Sequence, residues 1–226
     1  MSSLEQEAQA LMDRFRSMPA ENIGSFYDSM KPEVYDEMVR LINATESEQI
    51  LAKILERTDL HADSEIYDVG CGTGLMGRLL HEQGFQQIDG MDASEQFVSE
   101  AMRRGHYRNC ESFYLGEKQL PKERLGRYDL VTAHGVWVPN HMPAKAIIDC
   151  VDALKEGGYF ITAMRSYLWE KGDSNGYRDM IDAVVEEGKL SILETGKFMR
   201  GVEGGNDMFA PQESMYFVAR KPGPPQ

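Results

Sequence analysis

The residues best equipped for chemistry lie together at Asp68-Val-Gly-Cys-Gly-Thr-Gly74, where an acid precedes three glycines at alternate positions. Gly70, Gly72 and Gly74 take side chains out of a tight turn. A ligand can then approach the backbone where a helix begins and its amides are unsatisfied. A ligand of nucleotide-like shape is implied. A nicotinamide or flavin site asks for Gly-x-Gly-x-x-Gly, and the third glycine of that pattern would stand where Leu75 is. Asp68 is also a poor neighbour for a pyrophosphate and a good one for a cation. A second acid, Asp92, follows about 20 residues later, the usual place for a carboxylate that takes hydrogen bonds from ribose hydroxyls. It could instead cap the next helix, a role equally open to Ser94. Cys71 reads as a small loop residue and not a nucleophile, and Asp129 as structure at the sheet.

Two further groups follow later apolar runs: His134, Trp137, Asn140 and His141, then Arg165, Tyr167 and Trp169. They offer a possible base, a possible anion clamp and aromatic walls, and they include both tryptophans of the chain. The plainer alternative is that large aromatics close the core beneath a loop and that each histidine is a hydrogen-bonded structural residue.

Such residues need a scaffold to bring them together. Short apolar runs at 65–69, 87–91, 112–115, 128–133 and 158–164 read as strands buried on both faces. Between them, helices are predicted over 75–83, 94–104 and 144–155, ending at Gly84, Gly105 and Gly157, where a helix C-terminus wants a residue tolerant of positive φ. This rhythm predicts an α/β fold, a doubly wound Rossmann-like sheet that is mostly parallel. A helix over 177–187 and two strands at 191–199 and 214–219, with no helix between them, predict an antiparallel last strand. In an open sheet of this kind ligands bind outside the carboxyl ends of the strands, which is where the singled-out residues fall. Upstream, Leu4, Ala8, Leu11, Met12, Phe15 and Met18 make an apolar stripe at helical spacing. Pro19 and Pro32 punctuate a turn-rich stretch, and 35–42 and 48–57 read as helices. The expected division is an N-terminal helical lid over 1–58, a ligand-binding domain over 59–220 and a Pro-rich tail over 221–226.

The pattern Ile66-Tyr-Asp-Val-Gly-Cys-Gly-Thr-Gly74 resembles motif I of class I methyltransferases that use S-adenosyl-L-methionine. Four further motifs follow in the same order as in that family. Gly90-Met-Asp92-Ala93-Ser94 resembles its second-strand motif, and Gly116-Glu117 before Leu120-Pro121 its third, with Glu where Asp is usual. Tyr128-Asp-Leu-Val131 and Leu154-Lys-Glu-Gly-Gly158 resemble the fourth-strand motif and the turn before the fifth strand. Together they span about residues 60 to 165. Gly135-Val-Trp-Val-Pro-Asn-His141, the run Gly157 to Arg165 and Tyr35-Asp36 are similar to the small methyltransferase-like proteins named for the Williams-Beuren region. The resemblance implies that Asp68, Gly70, Cys71, Gly72 and Gly74 meet the amino-acid end of S-adenosyl-L-methionine, with S-adenosyl-L-homocysteine as product. It implies Asp92 and Ala93 at the ribose, Glu117 or Lys118 at the adenine, His134 beside the cofactor, and Tyr27 and Tyr35 in a lid. The expected chemistry is in-line displacement, in which alignment supplies most of the acceleration. A base such as His134 or His141 is needed only for an acceptor proton of high pKa.

Composition narrows the partners. With 24 Lys and Arg against 37 Asp and Glu the formal charge is −13, which argues against nucleic acid and anionic membrane surfaces. Ala133-His134-Gly135-Val136 stands where adenine methyltransferases carry Asn-Pro-Pro-aromatic, so a small-molecule substrate is expected. Cys71, Cys110 and Cys150 are odd in number and lack the paired spacing of a zinc site or a disulfide scaffold. No metal is expected, and a cytoplasmic monomer or homodimer is. Two other readings stay open: a non-catalytic cofactor-binding subunit of a larger assembly, and a nicotinamide oxidoreductase, which Leu75 and Asp68 disfavour.

Overall fold

In a computed structural model, residues 2–16, 23–42, 44–139, 141–201 and 211–223 are described. Among the described residues the chain opens with four helices: α1 (Ser3–Arg16), α2 (Ile23–Asp28), α3 (Pro32–Leu41) and α4 (Glu46–Arg57). It continues as β1 (Glu65–Val69), α5 (Leu75–Glu82), β2 (Gln87–Asp92), α6 (Glu95–Arg104), β3 (Asn109–Ser112), β4 (Tyr128–His134), α7 (Ala146–Ala153) and β5 (Leu154–Arg165). It closes with α8 (Tyr177–Glu186), β6 (Ser191–Arg200) and β7 (Gln212–Arg220). Short 3₁₀ turns occupy Lys122–Arg124 and Ser166–Trp169.

The seven strands form one sheet in the order β3-β2-β1-β4-β5-β7-β6. The pairs β1·β2, β1·β4, β2·β3 and β4·β5 are parallel, and β7 runs antiparallel to both β5 and β6. The last strand is thus the antiparallel one, inserted between the two that precede it. Strand order reverses between β1 and β4, which opens a crevice outside their carboxyl ends.

Alternation along the strands builds two cores. Ile66, Ile88, Leu130 and Ile161 face α4 and α5, against Ile50, Ile54 and Leu80. Their neighbours Tyr67, Val131 and Phe160 face the opposite layer, with Ile147 of α7 and Ile181 of α8. Successive side chains of a strand point to opposite faces, so the core strands carry apolar residues on both. A third cluster of Phe26, Met30 and Phe97, joined by Tyr27, Tyr35 and Met38, sets α2 and α3 against α6. The first helix packs on α3, with Ala8 of the predicted stripe fully buried, whereas Met18 and Pro19 lie outside the described residues.

Helix boundaries follow local chemistry. Ser94 caps α6 by accepting from the Phe97 amide at 3.3 Å, and Gly105 ends it at φ 77°. Three expectations shift. The third strand is Asn109–Ser112 and not 112–115, because Phe113, Tyr114 and Leu115 leave the ladder to wall a cavity. The helix expected through 155 ends at Ala153, since Leu154 already pairs with Tyr128 in the sheet. Within the stretch read as turns, Ile23–Asp28 is a short helix.

Candidate active site

The glycine loop is folded back onto the end of β2. The amides of Gly70 and Cys71 both donate to the Met91 carbonyl at 2.8 Å, and the Gly72 amide donates to Asp92 Oδ2 at 2.9 Å. Asp92 Oδ1 accepts from the Ser94 amide at 3.0 Å, so the carboxylate is fixed by backbone on both oxygens. Gly70 adopts φ +74°, and a methyl group there would overlap Val136 Cγ1. Only glycine lets loop and fourth-strand connection close over one another at this point. Asp68 lies fully buried behind the loop, with Oδ2 accepting from Tyr107 Oη at 2.6 Å. Burial, with a smaller contribution from Asp92, pushes its carboxyl up to about 7 against the lowering effect of the Tyr107 hydrogen bond.

The N-terminal helices fasten onto this loop. Asp36 Oδ1 accepts from Thr73 Oγ1 at 2.5 Å, and its other oxygen pairs with Arg104 of α6. The Tyr35 ring lies over Gly72, where a built Cβ would meet it at 3.5 Å. Tyr27 and Tyr35 pack on Phe97 with ring centroids 5.9 Å and 4.7 Å away. Burial raises both phenols above their usual range, so they stay protonated.

His134, at the end of β4, has Nε2 at 2.9 Å from Ser47 Oγ of α4, and its Nδ1 is buried without a partner. Burial pushes it down to about 4, so it is neutral at pH 7 and a weaker base than a free imidazole. His141 has Nδ1 at 3.1 Å from the Pro139 carbonyl and Nε2 at 3.2 Å from Tyr27 Oη. A carbonyl can only accept, which assigns the proton to Nδ1 and leaves Nε2 to accept from Tyr27. His141 therefore ties α2 to the fourth-strand connection.

Two cavities meet here. One, of about 110 Å³, is lined by Asp92, Ala93, Phe113, Leu115 and Met142. The other, of about 620 Å³, is lined by Thr73, Glu46, Ser47, Met164 and Arg165 among others. Gly70, Gly72, Tyr27, Tyr35, His134 and Gly135 border both. Gly74 lies at the start of α5 with φ +100°, and Cys71 lines the larger cavity while its buried thiol is raised well above the usual range by Cys110 and by burial.

The other expected residues divide. Glu117 and Lys118 are exposed and line neither cavity. The Gly116 amide donates to Asp149 at 2.8 Å, a bond that draws the turn against α7 and sends the next two side chains outward. Trp137 is only 2% exposed, donates from Nε1 to Thr162 Oγ1 at 2.6 Å and packs edge-on to Tyr177. It is a core residue that also borders the larger cavity. Trp169 sits under Arg178 and beside Phe217, and Tyr167 is 51% exposed. Both line a separate hollow of about 680 Å³ that touches the larger cavity at Arg165. Asn140 lies outside the described residues. Asp36, Glu46, Ser47, Thr73 and Arg200 join the site without having been singled out. Thr73 sits within the glycine motif and Asp36 beside Tyr35, whereas no motif marks Glu46, Ser47 or Arg200.

The arrangement fits S-adenosyl-L-methionine. A loop that a Cβ would fill, a backbone-fixed carboxylate at a cavity mouth and a buried Asp68 Oδ1 without a partner suit its carbon skeleton, ribose and ammonium. Among the described residues no three His, Cys, Asp or Glu side chains gather as a metal ion would need. No helix among them is long and apolar enough to cross a membrane.

Comparison with known proteins agrees with this geometry. Residues 67–160 match the family model described as a methyltransferase domain. Human methyltransferase-like protein 27 is 29% identical over 121 residues, covering 54% of this chain and 47% of that protein. The chain spans about half the length, or less, of the curated relatives it matches. A chain in the Haloferax volcanii complex of the Trm112 methyltransferase activator with a methyltransferase superposes with a TM-score of 0.61 at 16% identity, over 85% of this chain and 95% of that one. Magnesium protoporphyrin IX methyltransferase from Synechocystis PCC 6803, solved with bound S-adenosylmethionine, superposes at 0.58 and 18% identity over 81% of both chains. At such identities the superpositions speak for the fold, and the family rests on the ordered motifs and the domain match. Residues 67–160 are a methyltransferase domain of the class I, S-adenosyl-L-methionine-dependent family.

Proposed function

We propose that this chain transfers the methyl group of S-adenosyl-L-methionine to a small-molecule acceptor. The observation that carries the reading is the pair of cavities with a common wall at Gly70, Gly72 and His134. The smaller one, between Asp92 and the Phe113 to Leu115 wall, suits ribose and adenine, and the larger one has room for an acceptor. When bound, the cofactor supplies a methyl group already activated on a sulfonium. Asp92 then orients the ribose, and the glycine loop holds the amino-acid end, with Asp68 behind it. Tyr27 and Tyr35 roof the junction and keep water out, which favours in-line alignment over hydrolysis. His134 is neutral and lies at the junction, which makes its imidazole the candidate to take a proton from the acceptor.

Enclosure by α2, α3 and α4 supports a small acceptor over a protein one. The room beyond the shared wall speaks against a subunit that only binds the cofactor, which would have no use for it. Calorimetry with S-adenosyl-L-homocysteine tests the cofactor half of the reading. The wild-type chain should bind, and Asp92→Ala should weaken binding by about 1.5 to 3 kcal/mol, the range for hydrogen bonds to a charged group. Equal affinity in the variant would remove the ribose from Asp92, and no binding by the wild type would remove the cofactor from this cavity.

A further inference from the structure

The chain carries 13 more acids than bases, yet the larger cavity is lined by five arginines and three carboxylates. Four of those arginines are matched. Arg40 pairs with Glu37 at 2.7 Å, Arg78 with Glu82 at 2.7 Å and Arg104 with Glu100 at 2.8 Å, while buried Arg200 pairs with Glu46. Arg165 is the exception. Among the described residues it pairs with no carboxylate, and its hydrogen-bond partner is the neutral side-chain oxygen of Gln212.

A half-buried guanidinium is costly to keep without a counter-charge. Here burial and the neighbouring Arg200 disfavour its charged form more than Tyr167 and the Arg200-paired Glu46 favour it. Its planar fork is matched to carboxylate or phosphate oxygens. Arg165 ends β5, two strands from the glycine loop that ends β1 in the order β1-β4-β5. At about 4.8 Å per strand it stands about 10 Å away, beyond His134 as seen from the loop. The carboxylate of the cofactor's own amino-acid end belongs at the loop, so the guanidinium faces the acceptor.

We propose that the acceptor carries an anionic group of carboxylate type, and that Arg165 binds it from the floor of the larger cavity. This rests on the methyltransferase reading above. Apolar and aromatic walls at Met38, Tyr35 and Met164 complete the site, so an acidic ring compound is the matching class.

The test uses the full chain and two probes of one shape, benzoate and benzamide, titrated with and without saturating S-adenosyl-L-homocysteine. The wild type should bind benzoate at least tenfold more tightly than benzamide. Arg165→Met should bring that ratio close to one, Arg165→Lys should keep part of it, and both should change S-adenosyl-L-homocysteine affinity less than twofold. Arg165→Gln replaces the methionine variant if the latter unfolds at lower temperature. Equal binding of the probes, binding of neither, or a ratio unchanged in Arg165→Met would overturn the proposal. So would a tenfold loss of S-adenosyl-L-homocysteine affinity in Arg165→Met with the ratio kept, because the guanidinium would then serve the cofactor's carboxylate. A wild type that prefers benzoate but never binds S-adenosyl-L-homocysteine would sink the cofactor reading and leave the anion site standing.

Discussion

Gly70 shows how much a single missing side chain can decide. Alanine there would adopt φ +74°, which costs about 1 to 3 kcal/mol outside glycine, and its methyl would displace Val136. Val136 also borders the smaller cavity, so the displacement would reach the space proposed for adenine as well as the loop. Gly70→Ala should therefore lower the unfolding temperature and weaken S-adenosyl-L-homocysteine more than tenfold in calorimetry. Gly70→Ala with Val136→Ala should recover part of the affinity but not the strain, a coupling that a double-mutant cycle reads directly. Full affinity in the single variant would mean that the loop does not touch the cofactor. At this scale the sequence was most informative where chemistry forces residue type: three alternate glycines and an acid at each of two strand ends. It was least informative at Glu117, where the motif marks the turn but the Gly116 bond to Asp149 decides where the side chain points.

Among the elements, α3 is held by packing, with Val34 fully buried and Tyr35 and Met38 against Phe97, and also by polar contacts. Asp36 joins it to Thr73 of the glycine loop and to Arg104 of α6, but its side chain is 39% exposed. An ion pair that open to solvent is worth no more than about 1 kcal/mol. The Thr73 bond, aimed at the loop itself, would couple the helix to the ligand proposed to sit there. Asp36→Ala should leave the unfolding temperature almost unchanged, speed amide exchange over 32–41 and raise the release rate of S-adenosyl-L-homocysteine several-fold. An unchanged release rate would make α3 a fixed wall. The helix α4 behaves differently, since Ile50 and Ile54 are fully buried against the sheet. Ile54→Ala should cost about 2 to 5 kcal/mol of stability in denaturant unfolding, and a smaller loss would mean the site collapses around it. The period of apolar residues located both helices, because burial on one face imposes it. It could not distinguish a helix that packs on the core from one that latches over a ligand. The same ambiguity moved the third strand: Phe113, Tyr114 and Leu115 are apolar because they wall a cavity and not because they pair.

At the scale of the whole molecule, an excess of 13 negative charges coexists with a fully buried carboxyl at Asp68, and the two respond to pH in different windows. Glu65, held by Arg108 and Arg127, and Glu100, held by Arg103 and Arg104, are each drawn down to about 2. Both stabilise the fold above their unfolded range near 4.5 and lose that contribution as pH falls toward 2. Exposure to solvent keeps each contribution small. Asp68 has the opposite sign. Its folded value of about 7 lies above the unfolded 3.8, so the folded state holds a proton that the unfolded state has already released. The stability conferred by the neutral form is complete below about 4 and is lost progressively up to about 7, by a few kcal/mol at one pKa unit per 1.36 kcal/mol. Asp68→Asn removes the titration while keeping an acceptor for Tyr107. The variant should match the wild type at pH 4 and unfold at a higher temperature at pH 8. On the function proposed above, the ionised carboxylate would also attract the ammonium group of the cofactor. S-adenosyl-L-homocysteine should therefore raise the wild-type unfolding temperature more at pH 8 than at pH 5, and raise that of Asp68→Asn about equally at both. Parallel wild-type and variant curves across that range would show that Asp68 is ionised throughout, and that the buried acid behind the glycine loop neither weakens the fold nor senses the ligand.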